Sequence, residues 1–222
     1  PHTIRGLGEV RSCAECHRSP ASLGLGSGLF QIARDSIFTV GESGIRLFDR
    51  YSNPNMPLPL GNLISTGKPE AVTSKPNVVE GTTEYLYVAM GNNGVVAYDR
   101  RSTEPDKPIL LIEDMEAIDV ARDSHYLFVV EEDVGIHIYY NDTPLVATYL
   151  STVEIPQATR IELWGIYAFV SAMEGGLVII NIADYSAPFI AGQVDGIVAA
   201  DVHLFSHYQI GSDFAVRAYV AD

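Results

Sequence analysis

Cysteine, tryptophan and positive charge are all scarce in this chain. Its 222 residues include two Cys, one Trp and four Met, and 14 Lys and Arg face 28 Asp and Glu, for a formal net charge of −14. A surface so negative repels phosphate backbones and anionic lipid headgroups, which argues against a nucleic-acid or membrane-surface partner. It suits a basic protein partner or weakly held cations, or it serves only to keep the chain in solution. Hydrophobic residues make up 47% of the chain, yet no apolar run approaches the ~20 residues of a membrane-spanning helix. Walker, G-x-S-x-G and His-Glu-x-x-His patterns are absent, so no phosphate loop, nucleophile elbow or zinc-protease helix is encoded.

The two cysteines stand together in Cys13-Ala14-Glu15-Cys16-His17. C-x-x-C-H is the attachment pattern of a c-type haem. Two thiols three residues apart reach the two vinyl groups of one porphyrin as thioethers, and the next residue, His17, offers an imidazole nitrogen to the iron. A structural zinc site needs four ligands, and no third Cys or spaced His pair completes one. A redox dithiol needs a βαβ setting, whereas here the flanks are rich in Gly, Ser and Pro. The reading is one covalent haem c on Cys13 and Cys16 with His17 as proximal ligand. Haem attachment takes place outside the cytoplasmic membrane, so the chain is expected to be periplasmic, cell-surface or extracellular, with its leader removed and no thiol left for a disulfide.

The remainder repeats. Gly, apolar, any, apolar, apolar or aromatic recurs at Gly44, Gly94, Gly135 and Gly176, with a degenerate fifth copy at Ala215. A β-rich run precedes each copy: Ile37–Val40, Tyr85–Val88, Tyr126–Val129, Tyr167–Val170 and Tyr208–Ile210. Gly-rich or acidic turns lie between, so each unit reads as a hairpin. A third run precedes each hairpin, as at Leu29–Ile32, Ala117–Val120 and Ala200–His203, and a fourth follows it after a proline, at Pro57–Leu60, Pro108–Leu111, Pro144–Ala147 and Pro188–Ala191. Proline suits the start of an edge strand. Four strands per ~40 residues describe a propeller blade. The expectation is an all-β propeller of five four-stranded blades over 29–222. The fifth blade would end at its third strand, and residues 1–10 would supply the fourth, either closing the ring or pairing with a neighbouring copy in a homopolymer. Residues 11–28 then form the haem attachment loop.

GLVIINIADYSAPFIAGQVDG, from Gly176 to Gly196, resembles the LVIVD repeat of bacterial and archaeal surface propellers; the second unit, YLYVAMGNNGVVAYDRRSTEPDKP, is similar but looser. The resemblance covers roughly 29–222 and implies a β-propeller without implying any chemistry. The CAECH pentapeptide looks like that of the c-type cytochromes, on residues 13–17 alone, and nothing reads as the helices of that fold.

On this layout the haem sits on the face that carries the second-to-third-strand turns and the connections between blades. Candidates for the sixth iron ligand are His203 in the same chain and, from a neighbouring copy, His207. Met173 and Met115 share the haem face, while His2 and His125 belong to the opposite one. A methionine ligand would raise the potential relative to a second histidine. Glu131-Glu132-Asp133 reads as a hard-cation site or a solvated turn. Asp119 and Asp201 hold matching places and either line a channel or bind backbone amides. Trp164 reads as packing. Three functions follow: electron transfer with a redox partner protein, a structural subunit of an extracellular haem-containing filament or sheath, or a haem peroxidase or gas sensor.

Overall fold

The computed structural model describes residues 30–32, 36–41, 44–49, 58–63, 69–76, 83–99, 102–104, 107–123, 125–207 and 215–221. The expected strand at 1–10 and the attachment loop at 11–28, with Cys13, Cys16 and His17, lie outside these residues. Four antiparallel sheets follow one another along the chain, each built in simple sequence order. The first holds β1 (Phe30–Ile32), β2 (Ser36–Gly41), β3 (Gly44–Asp49) and β4 (Leu58–Leu63). The second holds β5 (Ala71–Pro76), β6 (Thr83–Ala89), β7 (Val95–Asp99) and β8 (Ile109–Ile112). The third holds β9 (Ala117–Asp123), β10 (Tyr126–Glu131), β11 (Gly135–Tyr140) and β12 (Thr148–Glu154). The fourth holds β13 (Arg160–Trp164), β14 (Tyr167–Ser171), β15 (Leu177–Asn181) and β16 (Phe189–Val194). A hairpin of β17 (Asp201–His207) and β18 (Ala215–Ala221) ends the series. These sheets are consistent with propeller blades.

The sheets stack face to face. Phe128, Val130, Ile136 and Ile138 of the third sheet form one buried cluster with Ala168, Val170, Val178 and Ile180 of the fourth. Tyr87, Ala89, Val95 and Ala97 meet Leu127 and Val129 between the second and third, and Ile45 meets Leu86, Val88 and Tyr98 between the first and second. A central strand is therefore covered on both sides, which explains why β10 carries four consecutive buried residues rather than an alternating pattern. The outer strand β16 is almost wholly exposed. Successive first strands are neighbours: β5 with β9, β9 with β13, and β13 with β17.

Two expectations need correction. The outer strand of the third sheet is β12, not Pro144–Ala147. The buried Asn141 amide donates to the carbonyls of Thr143, Pro144 and Val146 at 3.3, 3.2 and 2.8 Å, which folds that stretch into a loop. β5 and β13 supply the expected first strands of the second and fourth sheets, at positions the sequence reading did not spell out. Finally, β18 is not a third strand: it pairs directly with β17, from Asp201 opposite Ala221 to His207 opposite Ala215. Tyr208–Ile210 lies outside the described residues. Among those that are described, the last sheet has two strands.

The recurring glycine has a steric origin. Gly94 and Gly176 adopt φ of +67° and +73°, and a Cβ on either would collide with the backbone carbonyl of Ile112 or Val194, at the end of the outer strand. The outer strand closes over the third only because nothing projects there.

Asp119 ties the third sheet to the fourth. Its Oδ1 accepts the Val120 N–H at 2.9 Å, and its Oδ2 accepts the Ile161 N–H of β13 at 2.8 Å. The carboxyl is buried, and burial pushes it up to about 6 against the pull of Arg160 and of the two N–H donors. The reading of Asp119 as an amide-bound carboxylate is the one the structure supports. Asp201 repeats the local half of the clamp, accepting the Val202 N–H at 2.8 Å.

Gly176→Ala is expected to destabilise the fold by on the order of 3 kcal/mol. Gly165→Ala, also at positive φ (+56°) but facing open space, is expected to cost about 1 kcal/mol; paired urea titrations compare the two, and equal losses would contradict the collision account. Asp119→Ala leaves two buried N–H groups unpaired, at about 1–3 kcal/mol each. An acid whose pKa rises on folding stabilises most where it is protonated in both states. The advantage of the wild type over Asp119→Asn should therefore be largest below about pH 4, shrink as pH rises to about 6 and stay level above. Denaturation across that range measures it.

Candidate functional site

The second-to-third-strand turn of one sheet leans onto the start of the next sheet's first strand. Gly91 and Ala117 exchange two backbone hydrogen bonds at 2.9 and 3.0 Å, as do Met173 and Ala199 at 2.8 and 2.9 Å. These turns and the inter-sheet connections thus share one face, as the sequence implied. That face is acidic: Glu113, Asp114 and Glu116 follow β8, and Glu131, Glu132 and Asp133 follow one another at the end of β10, with no Lys or Arg in either stretch. The opposite end mixes signs, with Lys107 and Arg122 beside Glu104 and Asp123. Residues 132–134 form the turn between β10 and β11, and among the described residues no three His, Cys, Asp or Glu side chains converge as metal ligands would.

The histidines differ sharply. His203 lies on β17, opposite Tyr219 on β18. Its Nδ1 is 3.4 Å from Glu162 Oε1, and its side chain is 59% exposed. The Glu162 carboxylate raises the His203 pKa by its hydrogen bond, against some desolvation. His125 pairs its Nδ1 with Asp142 at 2.8 Å, at the opposite end of the third sheet. His137 is nearly enclosed: Nδ1 meets Thr152 Oγ1 at 2.8 Å, and Nε2 approaches Glu131 Oε2 to 2.7 Å without hydrogen-bond alignment. His207 ends β17 opposite Ala215. Met115 is buried in the core between the second and third sheets, so it offers no accessible thioether. Met173 is part-exposed in its turn, with φ +42°. Trp164 ends β13 opposite Tyr167.

Glu162 is the residue that sequence reasoning missed. The strand registers reveal it. Ala121 pairs with Phe128, Glu162 with Phe169 and His203 with Tyr219, so the three occupy equivalent places on successive first strands. Alignment of β13 with its neighbours would have found it, had β13 been recognised.

Residues 157–196 match the LVIVD repeat, which together with the stacked sheets makes the chain a repeat-containing, β-propeller-like protein. No curated protein matches it. Among solved structures it is similar to the computationally designed Ika8 protein, at 10% identity and a TM-score of 0.58, over 86% of this chain and 57% of that one. It is also similar to a candidate 6-phosphogluconolactonase from Bacteroides uniformis, at 14% identity and a TM-score of 0.57, over 76% of this chain and 55% of that one. The chain thus spans little more than half the length of the structures it matches, and at such identities the likeness is one of fold.

Proposed function

We propose that the chain is an extracytoplasmic monohaem c-type cytochrome that transfers electrons to or from a basic partner protein, with its haem carried on a β-propeller of five blades. The observation that carries this reading is the Cys13-Ala14-Glu15-Cys16-His17 pentapeptide, which contains both of the chain's cysteines. Two thiolates and an imidazole at that spacing are the donor set of a covalent haem c. When bound, the haem supplies a one-electron couple. The chain contributes the tether through Cys13 and Cys16, the axial nitrogen of His17, and a field from the acidic face that draws a cationic partner toward one side. Residues 1–10 would pair on the edge of β18 to which no described strand is bonded.

The test is a pyridine haemochrome spectrum and intact mass of the protein secreted by a host with haem-attachment machinery. One thioether-linked haem per chain is expected, lost in Cys13→Ala/Cys16→Ala. Zinc or a free dithiol in its place would refute the reading.

One observation favours a second reading, a structural subunit of a filament or sheath. On the fourth sheet, Phe189 and Val194 are 58% and 45% exposed, on the side they share with Asn181 and Leu177 of β15. Val153, the counterpart of Val194 in the third sheet, is 8% exposed. A strand donated by a neighbour would cover Phe189 and Val194. Sedimentation of the full chain and of a 1–10 deletion separates the two: a polymer that dissociates on deletion supports the filament, and a monomer in both forms opposes it.

A further inference from the structure

The third sheet holds the fourth in place through one carboxylate. Asp119 accepts the N–H of Val120 on its own strand and, through its second oxygen, the N–H of Ile161 on the next first strand. Val120 pairs with Val129, Ile161 with Val170 and Val202 with Val220, so the three hold equivalent places and Asp201 stands on β17 where Asp119 stands on β9. Asp201 Oδ1 accepts the Val202 N–H at 2.8 Å. Its Oδ2 meets no donor among the described residues, so only the local half of the clamp is used.

The face on which that oxygen stands is bare. Exposure alternates along both strands of the last sheet. Asp201, His203, Arg217, Tyr219 and Ala221 are exposed, whereas Val202 is buried and Leu204, Ala218 and Val220 are half-buried. Asp201 lies opposite Ala221 and His203 opposite Tyr219, and residues paired in an antiparallel ladder share a side. One side of the last sheet is therefore covered, where β17 packs on β13 and β14, and the other is open. In the third sheet the side that carries Asp119, Phe128 and Val130 is buried against the fourth. A surface that is an interface earlier in the series thus ends in solvent, with a tyrosine 55% exposed upon it.

We propose that this face docks the first sheet of a second copy of the chain, head to tail, and that Asp201 Oδ2 accepts a backbone N–H from the incoming first strand. The first sheet is built like a sheet that already fits such a face. Its four strands pair in the same simple order as those of the fourth sheet. Its outer ladder shifts register between Leu47 and Phe48, the place matched by Ile138/Tyr139 in the third sheet and Ile179/Ile180 in the fourth. Ile45 packs toward the second sheet, and the next residue, Arg46, is exposed on the other side, which a preceding sheet would cover. Direction matches as well. Thr159 Oγ1 donates to the Ala200 carbonyl at 2.9 Å, tying the start of β13 to the start of β17, so neighbouring first strands run the same way. A head-to-tail join repeats that contact between copies, and such joins generate rings or filaments. The inference does not depend on the haem reading, and it differs from donation of a single strand because a whole sheet face is buried.

The experiment is sedimentation velocity of the full chain and three variants over a concentration series reaching millimolar, with far-ultraviolet circular dichroism to establish that each is folded. Wild type is expected to associate into dimers or larger species. Asp201→Asn keeps one acceptor oxygen for the Val202 N–H and puts an amide N–H in place of the other, so association should weaken roughly tenfold. Tyr219→Arg should abolish it from the last sheet, and Arg46→Glu from the first. Arg46→Glu copies keep an intact last sheet and Tyr219→Arg copies an intact first sheet, so mixing the two should restore a one-to-one dimer. Wild type that stays monomeric throughout overturns the proposal. Association that survives both Asp201→Asn and Tyr219→Arg runs through another surface and also overturns it. Single variants that are monomeric and do not complement on mixing overturn the head-to-tail partner, since a contact between two last sheets would behave that way.

Discussion

A single antiparallel sheet has two faces and no core of its own. Everything in this chain follows from the need to cover both faces with the sheets before and after. The demand is visible in β10, whose Leu127 and Val129 face the second sheet while Phe128 and Val130 face the fourth. It also accounts for Asp119. Where two first strands converge, the Ile161 N–H is cut off from water, and a carboxylate on the neighbouring strand is the acceptor that reaches it. Hydrophobic stacking brings the sheets together, and the buried polar contact fixes how one sits on the next.

The sequence made some elements plain and hid others for physical reasons. Third strands were legible because a glycine opens each, and at Gly94, Gly135 and Gly176 the outer strand's carbonyl leaves no room for a Cβ. The same rule, applied strictly, would have excluded the fifth copy: Ala215 carries a Cβ where Gly44, Gly94, Gly135 and Gly176 carry none. AVRAYV has the alternation of a third strand, but that alternation suits any strand with one covered face, and the chain uses it for β18. First strands were hard to see because they are narrow and partly polar. Arg160 and Glu162 make β13 look like a loop, although its N–H and C=O groups complete a full ladder with β14. Proline misled in the third sheet, where Asn141 gathers three carbonyls and delays the outer strand to Thr148.

The chemistry divides in the same way. The pentapeptide at Cys13 is a local signal, since its thiols and imidazole are adjacent in the chain. The pairing of Glu162 with His203 is not local. It exists only because two strands 41 positions apart in the repeat lie side by side at the same height. Substitutions within a repeat that alter one copy and spare the others carry information about function, but only after register has shown which positions correspond.

The uneven spread of charge has a consequence of its own. Carboxylates without cations crowd the turns at the end of β10 and the connection after β8, while the other end carries both signs. Among the described residues of the second and third sheets, negative charge is therefore concentrated at one end of the strands. On a cationic surface it should land on the acidic end, so that adsorbed molecules share one orientation.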